Sequence, residues 1–207
     1  YSLHNYPPHI SPAEMAEFKT KYPPDPHSGE WKRAEELWAD KGEEGEGIKD
    51  TRWLTLPIDE AQGQLKKILN FAHQNKGKYN HIVVIGMGGS SRPADVIRGV
   101  LGTKDGFAKI HVMENLDEEE IKEILRSIDL KKTLFISISR SGNTSETMAL
   151  TQIAYEEIKK AGIDPKEHFI AITSTSKRES KLMQFLLQNN VPQENIFEHP
   201  EQVGGRY

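Results

Sequence analysis

Two short loops rich in glycine and serine hold the residues best suited to chemistry in this sequence. The first loop, GMGGSS, spans residues 86–91, and the second loop, SRSGNT, spans residues 139–144. Each follows an apolar run typical of a buried strand and precedes a stretch with helical periodicity. A strand that ends at glycine and serine before a helix presents backbone N–H groups beside the positive end of the helix dipole. Such a turn suits a phosphate or another small anion.

The second loop adds side-chain donors to its backbone amides. Ser139, Ser141 and Thr144 supply three hydroxyls within six residues. Arg140 adds a cation that could pair with phosphate oxygens or point to solvent. As an alternative to anion binding, residues 145–147 could simply cap the following helix, and capping uses the same unpaired N–H groups. Two such loops on neighbouring strands could hold one phosphorylated ligand from both sides, so the pair predicts a phosphosugar site.

The first loop also partly matches the dinucleotide-binding fingerprint G-x-G-x-x-G. Ser91 replaces the third glycine, and an acidic residue, Glu114, directly follows the next predicted strand. A nicotinamide cofactor is therefore a rival hypothesis. Two features weaken the nicotinamide hypothesis. Ser90 and Ser91 place hydroxyls where a dinucleotide-binding fold needs close helix packing, and the hypothesis assigns no role to the second loop. A plain tight turn is the remaining alternative.

The elements that must position these loops follow a regular alternation from Leu56 onward. Amphipathic helices between strands that are apolar on both faces predict an α/β fold, in which a mostly parallel sheet lies between helices. Right-handed crossovers place the carboxyl ends of all strands at one edge, where ligands bind in such folds. The predicted strands span 81–85, 109–113, 132–138, 168–172 and 195–197, and the predicted helices span 59–74, 93–101, 117–127, 145–161 and 178–188.

The two ends of the chain differ from this middle region. Residues 1–55 contain proline-rich turns around two short helical candidates, and we expect a helical or irregular N-terminal arm. At the other end, Gly204 and Gly205 would let backbone approach a ligand closely, and Arg206 could reach an anionic or enolate oxygen. Because the chain stops one residue after Arg206, we expect it to be the first part of a longer protein.

Composition narrows the class of protein. The 207 residues are 36% hydrophobic and 28% charged, with a net charge of −4, which gives no reason to expect a nucleic-acid or anionic-membrane partner. The absence of cysteine excludes disulfides and thiolate metal sites, and the scattered histidines do not support a metal site. No apolar stretch approaches the roughly 20 residues of a membrane span. We expect a soluble, cytoplasmic protein.

Three segments of the sequence resemble, in order and spacing, the hallmarks of the glucose-6-phosphate isomerase family. They are residues 84–91, 138–147 and 203–207, and the resemblance covers residues 53–207. It implies a sugar isomerase domain over residues 56–207, a three-layer αβα sandwich with a five-stranded sheet of flavodoxin-like type. The family's second sugar isomerase domain is expected to be absent from this chain.

The resemblance also implies an activity and residue roles. The family interconverts glucose 6-phosphate and fructose 6-phosphate through an enediolate, without a cofactor, and its active site is shared across a homodimer. Arg206 would stabilise the enediolate, whereas the glutamate base would lie in the missing domain. The residues expected to contact substrate are Gly88, Gly89, Ser90, Ser139, Arg140, Ser141, Thr144, Glu146 and Gly205.

Two alternatives to the isomerase remain open at this point. The same loops could belong to a non-catalytic phosphosugar-binding module, which the loops alone would equally indicate. The other alternative is an NAD-dependent oxidoreductase, which predicts binding of NAD and leaves residues 139–144 without a role. The isomerase hypothesis predicts that these 207 residues alone bind sugar phosphate weakly and turn over little.

Overall fold

A computed structural model describes residues 61–103, 106–174 and 180–199 of the chain. In these residues, helices and strands alternate along the chain as the sequence predicts, and every predicted strand is confirmed to within one residue. The predicted N-terminal arm and residues 203–207 lie outside the described residues. The elements are α1 (Ala61–Gln74), β1 (His81–Ile85), α2 (Arg92–Leu101), β2 (Lys109–Met113), α3 (Glu118–Arg126), β3 (Thr133–Ser139), α4 (Ser145–Lys160), β4 (Phe169–Thr173), α5 (Lys181–Gln188) and β5 (Ile196–Glu198).

The five strands form one sheet in the order β2-β1-β3-β4-β5. All four neighbouring pairs are parallel, so the predicted mostly parallel sheet is fully parallel over the described residues. The first strand, β1, lies inside the sheet, and its last residue, Ile85, is in register with Ser137 of β3. The chain leaves β1 toward β2 on one side and leaves β3 toward β4 on the other. This reversal is the topological switch point at which such sheets bind ligands.

One face of the sheet carries the larger core. Phe135 of β3 and Phe169 of β4 are fully buried and stack with their ring centroids 5.1 Å apart. Leu150 of α4, Leu182 of α5 and Ile121 of α3 belong to the same cluster. Burial of these side chains is the main source of stability for the sheet and the three helices on this face.

The opposite face carries a smaller core beneath α1. Phe71 of α1 meets Phe197 of β5 edge to face, with the ring centroids 5.5 Å apart. Helices on both faces confirm the predicted three-layer sandwich. The valines of α2 are largely exposed, since Val96 is 62% exposed and Val100 is 76% exposed. Within the described residues, no helix is long and apolar enough to cross a lipid bilayer.

Candidate functional site

The two predicted loops emerge side by side at the carboxyl ends of β1 and β3. They are in close contact where the first loop begins, because a Cβ atom on Gly86 would lie 3.1 Å from the carbonyl oxygen of Ile138. The prediction that these loops follow neighbouring strands is therefore confirmed. Their meeting point is the switch point of the sheet, where both loops can reach one ligand.

The first loop forms a single 3₁₀ turn over Gly88–Ser90 before α2 begins. The amide of Ser90 donates to the carbonyl of Met87, and the amide of Ser91 donates to the carbonyl of Gly88, each over 3.1 Å. The turn therefore uses two of the amides that the sequence suggested for an anion. Gly88 itself has φ +56°, a backbone conformation that favours glycine, and it is exposed at the edge of the sheet.

The last serine of the first loop is anchored to a neighbouring strand. Ser91 is fully buried, and its hydroxyl donates to Oε2 of Glu114, directly after β2, over 2.8 Å. The other carboxylate oxygen, Oε1, lies 3.2 Å from Nη1 of Arg92. Both carboxylate oxygens of Glu114 therefore already have a protein partner. The sequence marked Glu114 only as the acidic residue in a partial match to the dinucleotide-binding fingerprint.

The second loop brings two of its three predicted hydroxyls together. Ser139, which is buried, and Thr144, which is half-buried, lie with their hydroxyl oxygens 3.1 Å apart. The oxygen of Ser139 also accepts from the amide of Gly142 over 3.1 Å. The third hydroxyl, on Ser141, is exposed and accepts from the amide of Asn143 over 3.2 Å.

Helix α4 begins directly after this loop, with Thr144 at its N-cap. The side chain of Thr144 makes no capping hydrogen bond to the helix amides, because its hydroxyl turns toward Ser139. The first turn of α4 is therefore not capped by that side chain. The amide of Glu146 donates to its own carboxylate, and the other amides of the turn and the positive end of the helix dipole are directed at the loop. An anion at this position would be stabilised by both.

Helix α5 holds the second loop from its other side. The amide of Leu182 donates to the carbonyl of Gly142 over 3.0 Å, and the amide of Lys181 donates to Oδ1 of Asn143 over 3.2 Å. The amide of Met183 donates to the hydroxyl of Ser180 over 3.1 Å. The amides of the first turn of α5 are thus taken up by the second loop and by the Ser180 cap.

The charged residues of the second loop lie at its margin. Glu146 in the first turn of α4 is exposed, and hydrogen bonds from its own backbone amide and from the Ser145 hydroxyl lower the pKa of its carboxyl group. Arg140 is half-buried, and its carbonyl accepts from the amide of Ser174 over 2.9 Å, which ties the loop to the end of β4. Gly205 and Arg206 lie outside the described residues.

One buried group beside the second loop was missed by sequence reasoning. Thr147, in the first turn of α4, is 1% exposed, and its hydroxyl has no hydrogen-bond partner in the structure. One turn later, the Thr151 hydroxyl lies 2.8 Å from that of Ser137 on β3. Nothing in the sequence pattern distinguishes these two threonines, because the difference depends on what faces each of them across the helix–sheet interface.

The chain is similar in sequence to a known protein family and to individual members of it. The sequence profile of the family Phosphoglucose isomerase matches residues 65–207. A probable glucose-6-phosphate isomerase from Methanococcus maripaludis is 36% identical over 158 residues, which cover 72% of this chain and 33% of that protein. The chain spans about a third or less of the length of the first curated relatives it matches.

Two solved structures share the fold. A hypothetical protein from Thermus thermophilus superposes with a TM-score of 0.66 and 27% identity, covering 82% of this chain and 38% of that one. A glucose-6-phosphate isomerase from Chlamydia trachomatis superposes with a TM-score of 0.57 and 26% identity, covering 71% of this chain and 28% of that one.

Proposed function

The chain belongs to the phosphoglucose isomerase family, and from this premise we propose that it forms the phosphate-binding part of an aldose–ketose isomerase. The substrates would be glucose 6-phosphate and fructose 6-phosphate. The observation that carries the proposal is the pair of hydroxyls on Ser139 and Thr144, 3.1 Å apart beside the first turn of α4. A dianionic phosphate is the kind of ligand for which such a hydroxyl pair and helix N-terminus are suited.

In this proposal the two loops divide the ligand between them. The phosphate would take hydrogen bonds from Ser139, Ser141 and Thr144, with the charge of Arg140 nearby. The sugar carbons would lie along the first loop, against the backbone of Gly88–Gly89 and the hydroxyl of Ser90. Holding both ends of an open-chain sugar fixes the reacting carbons relative to the protein, which lowers the entropic part of the barrier.

The chemical step would be transfer of one proton between C2 and C1. A base removes the C2 proton, and the electron pair forms the C1–C2 double bond of an enediolate with its negative charge on O1. A proton passes from the C2 hydroxyl to O1, and the proton held by the base returns to C1 as the C2 carbonyl forms. By family resemblance, Arg206 would stabilise the negative charge of the enediolate, with Gly205 beside it. The carboxylate base would come from a second domain beyond these 207 residues, so we expect this chain to bind substrate and to turn over little on its own.

Glu146 is a poor substitute for that base. Its own amide and Ser145 stabilise its ionised form and lower its pKa, whereas an efficient general base has a pKa near the working pH. It also sits in the helix turn proposed to receive the phosphate. We therefore propose that Glu146 lines the edge of the site without taking the proton.

We further propose that the whole protein shares the location, assembly and cofactor independence of its family: it would be a cytoplasmic homodimer that needs no cofactor. The partition into an N-terminal arm over residues 1–55 and a phosphosugar-binding domain over residues 56–207 belongs to the same proposal. A second sugar isomerase domain would complete the site.

The proposal is tested by calorimetric titration of the chain with 6-phosphogluconate, an open-chain sugar-phosphate mimic, and with NAD. We expect saturable binding of 6-phosphogluconate that disappears in the double variant Ser139→Ala/Thr144→Ala. The matched control is Ser127→Ala, which removes an exposed serine hydroxyl at the C-terminus of α3 and should leave the affinity unchanged. Saturable NAD binding without a response to 6-phosphogluconate would contradict the proposal and favour the dinucleotide hypothesis.

A further inference from the structure

The first loop is held between the two strands that flank β1. On the β3 side, Gly86 lies against the carbonyl of Ile138, where a Cβ atom would come within 3.1 Å of the oxygen. On the β2 side, Ser91 is bonded to Glu114. The amide of Gly86 also donates to the carbonyl of Met113, the last residue of β2, over 3.3 Å. The loop is therefore tied to the end of β2 at both of its ends and lies against β3 at its first residue.

The hydrogen bond between Ser91 and Glu114 is the strongest of these restraints. A fully buried hydroxyl donates here to a carboxylate oxygen over 2.8 Å, and hydrogen bonds to a charged acceptor are about twice as strong as neutral ones. The amide of Ser91 donates to the carbonyl of Gly88, at the start of the turn, over 3.1 Å. Ser91 therefore links both ends of the Gly88–Ser91 turn to the end of β2.

Arg92 completes the cluster on the solvent side. Its guanidinium lies 3.2 Å from the second oxygen of Glu114 and also 3.9 Å from Asp95. This pair places a positive charge beside a carboxylate that would otherwise repel an anion in the neighbouring site. Because the Arg92 side chain is 59% exposed, solvent screens the pair, and it contributes less to holding the loop than the buried hydroxyl does.

We propose that Glu114 is a positioning residue that sets the first loop for the sugar part of the ligand. It acts through Ser91, which carries no proposed ligand contact, on the neighbouring backbone of Gly88 and Gly89 and on the hydroxyl of Ser90. The inference rests on the proposed function for the identity of the ligand. It assigns the phosphate to the second loop alone and makes the first loop, with Glu114 behind it, responsible for the rest of the sugar.

The first test is amide hydrogen exchange of the ligand-free chain, which needs no ligand. In Ser91→Ala, which removes the hydroxyl and keeps Glu114 with Arg92, we expect the amide of Ser90 to exchange about tenfold faster. Glu114→Gln should give a smaller increase in the exchange rate of the Ser90 amide, because a neutral acceptor replaces the charged one.

Two controls accompany this test. The exchange rate of the Gly142 amide in the second loop should be unchanged, whereas a general loss of stability would accelerate exchange of both amides. The matched control Arg92→Gln should change either amide by about twofold at most.

The second test separates the two parts of the ligand. In Ser91→Ala we expect the affinity for 6-phosphogluconate to fall about tenfold while the affinity for inorganic phosphate stays the same. Unchanged exchange of the Ser90 amide would overturn the positioning role, and so would equal losses of affinity for the two ligands. If the unsubstituted chain bound neither ligand, the proposed function of this chain would fail, and the exchange measurement would still decide whether Glu114 holds the loop.

Discussion

Gly142 in the second loop lies directly against Ser180, the residue that caps α5. A methyl group on the Cα of Gly142 would come within 2.6 Å of the Cβ of Ser180 and within 2.8 Å of the hydroxyl of Thr173. Gly142 also has φ +68°, a conformation that side chains with a Cβ rarely adopt. The loop can therefore approach α5 this closely only because residue 142 is a glycine.

This relationship predicts the outcome of Gly142→Ala. We expect a loss of at least about 3 kcal/mol in the free energy of unfolding, since the new methyl group adds overpacking to left-handed strain. Affinity for 6-phosphogluconate should fall with it, because the loop must move away from α5. The control is Gly162→Ala, which has a similar φ of +70° and nothing within 4 Å of the new methyl, and should cost about 1 kcal/mol. Urea unfolding of the two variants makes the comparison, and equal losses would contradict the steric explanation.

Buried His111 predicts a loss of stability in mild acid. Burial lowers its pKa to about 4, assisted by the charges of His81, Lys109 and Arg98. The pKa of an unfolded histidine is about 6.5, so stability is full above that pH and declines as the pH falls from about 6.5 to about 4. We expect His111→Gln to remove about 2 kcal/mol of the difference in unfolding free energy between pH 7 and pH 5. Urea unfolding at both pH values measures it, and an identical pH dependence in the variant would exclude His111 as the source.

The two threonines of α4 predict opposite responses to the same substitution. Thr147→Val replaces a buried hydroxyl without a partner, so we expect stability to be unchanged or to rise by up to about 1 kcal/mol. Thr151→Val removes a hydroxyl that lies 2.8 Å from Ser137 and leaves that serine buried and unpaired, at a cost of about 1–3 kcal/mol. Thermal unfolding of the two variants distinguishes them. A larger loss for Thr147→Val would show that its hydroxyl has a partner in solution.

The exposed carboxylate of Glu146 predicts a gain of affinity when its charge is removed. Its carboxyl group is ionised at pH 7, with a pKa below the ordinary value for glutamate, and it lies in the helix turn proposed to receive the phosphate. We expect Glu146→Gln to bind inorganic phosphate about threefold more tightly, from loss of a screened repulsion across several ångströms. Glu156→Gln, an exposed change in the second half of α4, is the matched control. Calorimetry at low salt compares the affinities of the two variants for phosphate. Equal effects of the two substitutions would show that the phosphate does not bind at this helix turn.

The sequence was sufficient to predict the strands and the neighbouring positions of the two loops. Apolar runs bounded by polar or glycine residues predicted β1 and β2 at their observed limits. The parallel order of strands and helices brought the two loops to one edge, which the pairing of β1 with β3 confirms.

The contacts that shape the loops were not predictable. Ser91 and Glu114 are 23 positions apart, and the amide of Lys181 meets Asn143 over 38 positions. Such pairs depend on how loops settle between packed helices, and hydrophobic periodicity carries no information about them. The 3₁₀ turn of the first loop was not predictable either. The sequence suggested that the amides of this loop were free to bind an anion, whereas two of them form hydrogen bonds within the turn.

The interior position of β1 has a consequence for synthesis on the ribosome. His81 at the start of β1 is in register with Lys109 of β2 and with Thr133 of β3. When the first strand emerges, the strand that will cover its other edge has not yet been made, and parallel pairing has to wait for a complete crossover. Until β3 arrives, β1 and β2 form an unfinished ribbon with apolar side chains and unpaired backbone groups. An unpaired strand edge is a site of aggregation, so we expect the nascent chain to need protection during that interval.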